Sequence, residues 1–213
     1  SMIQPCKISY GEVLSCTVHD MMLDLILSKC VEDNFVSVAY KSEDMARMQH
    51  ICKYKVRRLS LCSMGVGGAT YDSAIAARLP QVRSLLFKTG CNPILPLLWF
   101  KYLRVLIIYN RWGMIDLTAV SQLFQLRGLM VSSDGKIELP TELGKLVYLE
   151  TLDIQKCRLV KSIPSDIVHL PRLSYLLLRE STHFPKGIGN IKSLRTLRGL
   201  DMEMSSLECF MGL

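Results

Sequence analysis

Apolar residues recur in seven hexamers along most of the chain, always at the first and fourth positions and, except in the last hexamer, at the sixth. Neighbouring hexamers start 21 to 26 residues apart, at Val56, Val82, Leu103, Leu126, Leu149, Leu173 and Leu194. Each LxxLxL hexamer predicts a short strand with three inward side chains, and such a strand needs stacked neighbours to bury its apolar face. The spacing therefore predicts an α/β solenoid of repeats, with a curved parallel sheet on its concave face.

The segments between the strands carry a second set of inward apolar positions. The clearest examples are Leu139, Leu143 and Leu146 in one repeat, and Ile163, Ile167 and Leu170 in the next. Pro140 and Pro164 each follow an inward residue and end any extended run, because proline lacks the N–H group and fixes φ. Hexamers punctuated by proline in this way do not sustain helical periodicity, which argues against a helical bundle.

The repeat array, residues 56–213, is irregular at both ends. After the first hexamer, residues 63–74 lack an inward leucine pattern, and Gly199 occupies the sixth position of the last hexamer. The chain then stops at "ECFMGL", which offers no polar terminal cap. Since a complete solenoid is capped, we expect a fragment of a longer protein.

The segment before the repeats has a different pattern. Residues 7–18 predict a β-hairpin around Gly11-Glu12, and "HDMMLDLILSKC" predicts a helix with Asp20 as its N-cap or first-turn acid. Apolar side chains cover most of the circumference of this helix, which predicts packing on several sides. A hairpin leading into a buried helix is typical of a winged-helix unit, so we assign residues 1–40 to the end of such a unit and 41–55 to a linker.

Composition excludes several classes of protein. The chain is 49% apolar, yet its apolar runs are well short of the roughly 18–20 residues of a membrane span, and its N-terminus has no signal-peptide pattern. Eight cysteines without a CxxC pair predict reduced, mostly buried thiols in a reducing compartment, and no metal site.

The chain carries a net charge of +7, and its densest basic run is "CKYKVRRLSL". Only Tyr54 interleaves with these cations, which disfavours a nucleic-acid surface. The run is better interpreted as a solvated face or a contact to an acidic neighbour.

The histidines do not form a catalytic group. They are dispersed at residues 19, 50, 169 and 183, and the chain has neither a nucleophile–base pair nor a GxxxxGK[ST] phosphate loop, so no catalytic residue is assigned. His19 lies where the hairpin meets the helix. It is either a structural histidine or a contact to an anion such as phosphate, because positive backbone dipoles gather at a helix N-terminus.

Two stretches together resemble plant nucleotide-binding leucine-rich repeat immune receptors, particularly the coiled-coil class of grasses. "VHDMMLDLI" is similar to the Met-His-Asp motif that ends the nucleotide-binding (NB-ARC) module, with Val18 where methionine is usual. "LETLDIQKCRLVKSIPSDIVHLPRLSYLLL" is similar to the plant-type repeats, including Cys157 nine positions into its repeat. The resemblance implies that His19 contacts the β-phosphate of ADP in the resting receptor and that Asp20 structures the motif. Since the phosphate loop is missing, ADP or ATP would be bound only by the full-length parent.

The resemblance also implies the partners and the compartment. In such receptors, which act in the cytoplasm and also in the nucleus, the repeats recognise a pathogen effector or a modified host protein and hold the nucleotide-binding module shut. Positions five, seven and eight of each repeat point outward from the concave sheet. We select as partner-binding residues Leu86, Lys88, Ile107, Tyr109, Asn110, Met130, Ser132, Asp153, Gln155, Lys156, Arg179 and Glu180, with Thr89, Ser133 and Leu177 at the same positions.

The function predicted from the sequence is therefore a protein-interaction and autoinhibitory repeat region of an immune receptor. The alternative is a stand-alone repeat scaffold or ubiquitin-ligase adaptor, which leaves the hairpin and helix unexplained. An enzyme is the third possibility, and the residues it would need are missing from the sequence. No nucleic-acid partner is expected.

Overall fold

A computed structural model of the protein describes residues 3–9, 12–33, 35–39, 56–62, 81–89, 97–111, 113–160, 162–180 and 182–199. These described residues form eleven strands, one α-helix and five short 3-10 helices. The N-terminal elements are β1 (Ile3–Ser9), β2 (Glu12–Val18) and α1 (Asp20–Glu32). The repeats contain β3 (Ser37–Ala39), β4 (Arg58–Cys62), β5 (Ser84–Thr89), β6 (Val105–Asn110), β7 (Ile115–Asp116), β8 (Gly128–Glu138), β9 (Thr151–Val160), β10 (Tyr175–Leu177) and β11 (Thr196–Arg198).

The repeat strands form one parallel sheet, which confirms the solenoid predicted from the hexamers. The strand order is β11-β10-β9-β8-β6-β5-β4-β3, and β7 pairs with β8. All seven hexamers contribute a strand, and equivalent hexamer positions pair from β4 through β6 to β8 without a shift. Parallel neighbours require a crossover connection, and here each crossover is the convex part of a repeat.

The sequence pattern did not predict strand β3, which is the first strand of the parallel sheet. Ser37–Ala39 pairs in parallel with Leu59–Leu61, and Ala39 is fully buried. Arg58 extends this junction, because its guanidinium lies 4.5 Å from the centre of the Phe35 ring. The parallel sheet therefore starts N-terminal to residue 56, where the first hexamer begins. The predicted linker at 41–55 lies outside the described residues.

The core is built from the first, fourth and sixth hexamer positions, as the pattern predicts. In the central repeats these side chains are at most 2% exposed: Leu103, Leu106, Ile108, Leu126, Leu129, Val131, Leu149, Leu152 and Ile154. Burying one such side chain contributes about 1.5–3 kcal/mol. Leu194 and Leu197 are only partly buried, since β11 is stacked on β10 alone among the described strands, and Val56 is partly buried as well.

The convex side of the solenoid confirms the second set of inward apolar residues. The strands β8 and β9 end before Pro140 and Pro164, as predicted. All six predicted inward residues, from Leu139 to Leu170, are buried. The 3-10 helices on this side are Leu97–Trp99, Thr118–Gln122, Leu143–Lys145, Ser165–His169 and Ile188–Asn190. Two of them are joined by a hydrogen bond in which the Gly144 N–H donates to Oδ2 of Asp166 at 2.6 Å. Neighbouring repeats are therefore connected on the convex face as well as through the sheet.

Gly135 lies where the backbones of two repeats approach each other closely. A Cβ at this position would lie 1.7 Å from the carbonyl oxygen of Gly113, which itself has a φ of 90°. The N–H of Gly135 donates to Oγ of the buried Ser133 at 3.1 Å. No side chain fits between the two backbones at this point, so only glycine is compatible with the stacking.

The N-terminal segment contains the predicted hairpin and helix, but the helix is not enclosed. β1 and β2 pair antiparallel from Ile3 to Val18. On α1, however, Met21 is 77% exposed and Leu23, Leu25 and Ile26 are exposed as well. The prediction that this helix packs on several sides is wrong for the described residues, because they supply no surface that covers it. Its assignment to a winged-helix unit stays a prediction.

The cysteines are less buried than predicted. Of the five that are described, only Cys157 is buried, whereas Cys6 and Cys16 are exposed and Cys30 and Cys62 are intermediate. Cys16 lies on β2 of a two-stranded hairpin, and no other described strand packs on this hairpin to cover it. The alternation within β2 identified the strand but not which face is buried.

Candidate protein-binding face

The concave face carries a continuous apolar row at the fifth hexamer position. Leu86 pairs with Ile107, and Ile107 pairs with Met130, across three neighbouring strands. All three side chains are half-buried, and adjacent strands lie about 4.8 Å apart. The structure therefore brings three of the predicted partner-binding residues into one patch that solvent can reach.

A polar row flanks this patch at the seventh position. Lys88, Tyr109 and Ser132 pair in register, and Lys156 continues the row from Ser132. Tyr109 is 37% exposed, and its hydroxyl donates to the sulfur of Met130 at 3.9 Å. An aromatic ring thus lies over the apolar row, with lysines at either end.

Asp153 occupies the fifth position of its repeat but does not extend the open surface. It is 8% exposed, and its carboxylate accepts bonds from Gln155, from the backbone N–H at 3.2 Å and from Nε2 at 3.4 Å. A β-bulge lies here, because Met130 pairs with Asp153 whereas Ser132 pairs with Lys156. The carboxylate of Asp153 therefore stabilises the bulge, and the prediction that it points freely outward is wrong.

Asn110 and Ser133 are also buried, at 4% and 2% exposed, so the outward orientation predicted for these two eighth-position residues is wrong, whereas Lys156 and Glu180 at the same position are exposed. Asn110 pairs with Ser133, and Ser133 pairs with Cys157, so the three side chains form one inward row. Cys157 is the ninth residue counted from the start of its hexamer, and it joins this row because the bulge adds one residue to β9. Its position nine residues into the repeat was the only sequence signal for the row.

The thiol of Cys157, which lies in this inward row, is held in its protonated form. Burial raises the pKa of its thiol to about 12, although a backbone hydrogen bond at Ser133 acts in the opposite direction. The thiol donates to the carbonyl oxygen of Val131 at 3.1 Å. A thiol that stays protonated is a poor nucleophile, so Cys157 is a structural residue.

Arg179 and Glu180 lie apart from the other selected residues. β10 ends at Leu177, and both residues belong to the loop that follows it. Arg179 donates to the carbonyl oxygen of Arg158 at 3.0 Å, and together with Glu180 and His183 it lines an open cleft of about 510 Å³. They form the rim of the solenoid and not its concave face.

His19 is the residue that caps α1. Its carbonyl oxygen accepts the N–H groups of Met22 and Leu23, both at 2.9 Å, and its Nδ1 accepts the N–H of Met21 at 3.3 Å. This is the geometry of an N-cap, so Asp20 takes the alternative role of first-turn acid. Since Nδ1 accepts a bond, the neutral imidazole carries its proton on Nε2, which leaves an N–H donor on the exposed side of the ring.

The described residues lack two other kinds of site. In these parts of the chain, no three or more His, Cys, Asp or Glu side chains are grouped to hold a metal ion. None of the helices found there is long and apolar enough to cross a membrane.

Parallel LxxLxL strands joined by short 3-10 helices define a solenoid of the leucine-rich repeat class. Residues 81–213 match the leucine-rich repeat region family, and the chain belongs to this family.

The curated relatives that match the chain include plant disease resistance proteins. Disease resistance protein RGA5 of Oryza sativa subsp. japonica is 38% identical over 221 residues, covering 100% of this chain and 19% of the relative. Disease resistance protein Pik-2 of the same species is 30% identical over 243 residues, covering 96% of this chain and 23% of the relative. A crystal structure of a TDR receptor aligns with 70% of this chain and 25% of that chain at 20% identity, with a TM-score of 0.48. The chain spans about a fifth of the length of the two rice relatives, and the predicted resemblance to plant resistance proteins is confirmed.

Proposed function

We propose that the chain is the recognition region of an intracellular plant immune receptor and that its concave face binds a pathogen effector or a modified host protein. The observation that carries this proposal is the row Leu86–Ile107–Met130, an apolar patch crossed by Tyr109 and bordered by Lys88. Apolar side chains around an aromatic anchor, surrounded by a charged rim, are typical of protein interfaces. Relationship to disease resistance proteins favours this function over a stand-alone scaffold or ubiquitin-ligase adaptor.

Replacing Ile107 and Tyr109 with glutamate tests the concave face. Two carboxylates in the apolar patch would be desolvated without a partner, so we expect binding to weaken by more than about 30-fold, equivalent to about 2 kcal/mol. The measurement is biolayer interferometry against the effector that a library screen identifies with the unmodified chain.

Phe124→Glu provides the matched control for this double variant. Phe124 is 56% exposed and follows a convex 3-10 helix, so it carries an exposed aromatic ring on the opposite side of the solenoid. We expect this variant to bind normally, and circular dichroism should show all three proteins folded. Unchanged affinity of the Ile107→Glu/Tyr109→Glu variant would exclude the concave face as the binding surface.

We further infer that α1 contacts the nucleotide-binding module of the parent receptor, in which His19 donates from Nε2 to a phosphate of ADP. Two features support this proposal: the exposed apolar side chains of α1, among them Met21 and Leu25, and the free side of the imidazole ring. The chain itself acts as a binding and restraining region and performs no catalysis. The ADP or ATP belongs to the parent protein, which we place in the cytoplasm, with the nucleus as an alternative compartment.

Substitutions of His19 in the full-length receptor separate the two roles of its side chain. His19→Ala removes both the phosphate contact and the cap, and the cap alone is worth about 1 kcal/mol. His19→Asn keeps a side chain that caps well but lacks the Nε2 donor. If the donor restrains the receptor, both variants should cause cell death in leaves without an effector.

Two outcomes of this experiment would contradict the restraining role. Silence of both variants would remove His19 from the switch. Activity of His19→Ala alone would show that only the cap matters.

A further inference from the structure

Four arginines form a column along the edge of the sheet where the strands begin. Arg57, Arg83, Arg104 and Arg127 each occupy the second position of a hexamer, and all four are exposed. They are stacked through the backbone: the carbonyl oxygen of Arg57 accepts the N–H of Arg83 at 2.7 Å, and the same bond links Arg83 to Arg104 and Arg104 to Arg127. With strands about 4.8 Å apart, the column is about 14 Å long.

Within the described parts of the chain, this column is neutralised only at its last member. Arg127 pairs with Glu150 at 3.4 Å, whereas the described residues form no ion pair with Arg57, Arg83 or Arg104. Like charges on directly neighbouring strands repel one another and destabilise the sheet. Among the described residues, three consecutive guanidinium groups therefore carry positive charge that no carboxylate balances.

A cleft of about 280 Å³ lies along the unneutralised part of the column. It is lined by Arg57, Arg83 and Arg104 and, from the position one residue before each hexamer, by Gln81, Tyr102 and Gln125. Every lining side chain has a hydrogen-bond donor, and none is a carboxylate. Guanidinium groups bind the oxygens of phosphate in bidentate fashion, and the amides and the phenol hydroxyl can donate to the oxygens that remain.

We propose that this cleft binds a soluble, compact anion that carries two or more phosphate groups. The three guanidinium groups hold neighbouring phosphates, while the short spacing of the strands selects ligands whose charges are close together. The size of the cleft suits a small molecule, and every side chain that lines it ends in a polar or charged group. The cleft lies at the edge of the sheet where the strands begin, and not on the concave face. This proposal is therefore independent of the function proposed above.

Calorimetric titration of the chain with sodium tripolyphosphate tests the site, at about 50 mM NaCl so that screening is limited. We expect one ion bound per chain, with inorganic monophosphate binding at least about tenfold more weakly because it reaches fewer guanidinium groups. Arg83→Glu and Arg104→Glu should each weaken tripolyphosphate binding by about tenfold or more. Arg83→Lys should have a smaller effect, because it keeps the charge but loses the bidentate geometry.

Arg195→Glu is the matched control. Arg195 is exposed at the same second hexamer position, but Glu150 and Ser174 separate it from the column. We expect this variant to bind tripolyphosphate as the unmodified chain does. An equal loss in Arg195→Glu, or no binding by the unmodified chain, would overturn the proposal, and circular dichroism identifies any variant that fails to fold.

Thermal unfolding gives a second readout that does not depend on calorimetry. Tripolyphosphate should raise the Tm of the unmodified chain but not that of Arg83→Glu. Without the ion, Arg83→Gln should unfold at a higher temperature than the unmodified chain, because the like-charge repulsion is relieved. A ligand-induced rise in Tm that Arg83→Glu retains would place the anion elsewhere.

Competing ligands define the chemistry of the occupant. Hexaglutamate represents an acidic protein segment, a ten-nucleotide oligothymidylate represents nucleic acid, and vesicles containing a bisphosphorylated inositol lipid represent a membrane. Each should bind more weakly than tripolyphosphate. Tighter binding of any of the three would replace the soluble polyphosphate with that class of partner.

Discussion

Replacing Gly135 with alanine is expected to be severely destabilising. The new Cβ would meet the carbonyl oxygen of Gly113 at 1.7 Å, and neither atom belongs to a flexible side chain. The two repeats would have to separate, which would also disturb the bond from the Gly135 N–H to Ser133. We expect a loss of at least about 3 kcal/mol in the free energy of unfolding, the upper range for overpacking, measured by urea denaturation.

Gly128→Ala, in the same strand β8, is the matched control. A Cβ at Gly128 would lie 3.9 Å from Cγ1 of Val105, which is an ordinary van der Waals contact. Since alanine restricts the unfolded chain more than glycine does, this variant should be neutral or stabilised by about 0.4–1 kcal/mol. Equal stability of the two variants would show that the repeats at Gly113 and Gly135 are not held as close as the structure has them.

The second large effect is expected from Leu129→Ala in the central repeat. Leu129 is fully buried at a fourth hexamer position, with stacked repeats on both sides. Those neighbours hold the surrounding side chains in place, so the site cannot collapse to fill the space. The loss of transfer free energy and the cavity together should cost about 3–5 kcal/mol, measured by urea denaturation.

Leu197→Ala places the same deletion at the equivalent position of β11. Leu197 is only partly buried, because its strand pairs with β10 alone among the described strands. We expect a loss of about 1 kcal/mol, since less apolar area is removed from the core. A loss as large as that of Leu129→Ala would mean that the last repeat is packed as tightly as the central ones.

The core was predictable from the sequence because it repeats. A side chain at a first, fourth or sixth hexamer position faces inward in every turn, so seven copies of the same pattern reinforce one another. β3 was missed because Ser37–Ala39 is a single short segment that lacks the LxxLxL spacing. Its place in the sheet depends on pairing with β4, which is a tertiary contact.

The candidate binding face was only partly predictable, since the strand register changes within the array. Counting from the hexamer places Asn110 and Ser133 on the surface, but both turn inward with Cys157. A bulge in β9 shifts the register by one residue, and neither Asp153 nor Gln155 is a residue type that predicts a bulge. The exposure of α1 was unpredictable for another reason: an amphipathic pattern shows that a helix has an apolar surface, but not which part of the protein covers it.

The separation of core and concave positions has a consequence for how this protein can diversify. Exchanging a half-buried residue such as Ile107 or Ser132 leaves the inward positions untouched, and surface substitutions usually change stability by only about 0.5 kcal/mol. If the concave face binds a partner as proposed, new specificities can arise by point mutation without a compensating change elsewhere. Asp153 is the exception, because its carboxylate accepts both bonds from Gln155, and a substitution there would alter the backbone path as well as the surface. Variation should accumulate in the fifth and seventh rows of β5, β6 and β8 more freely than at the bulge of β9.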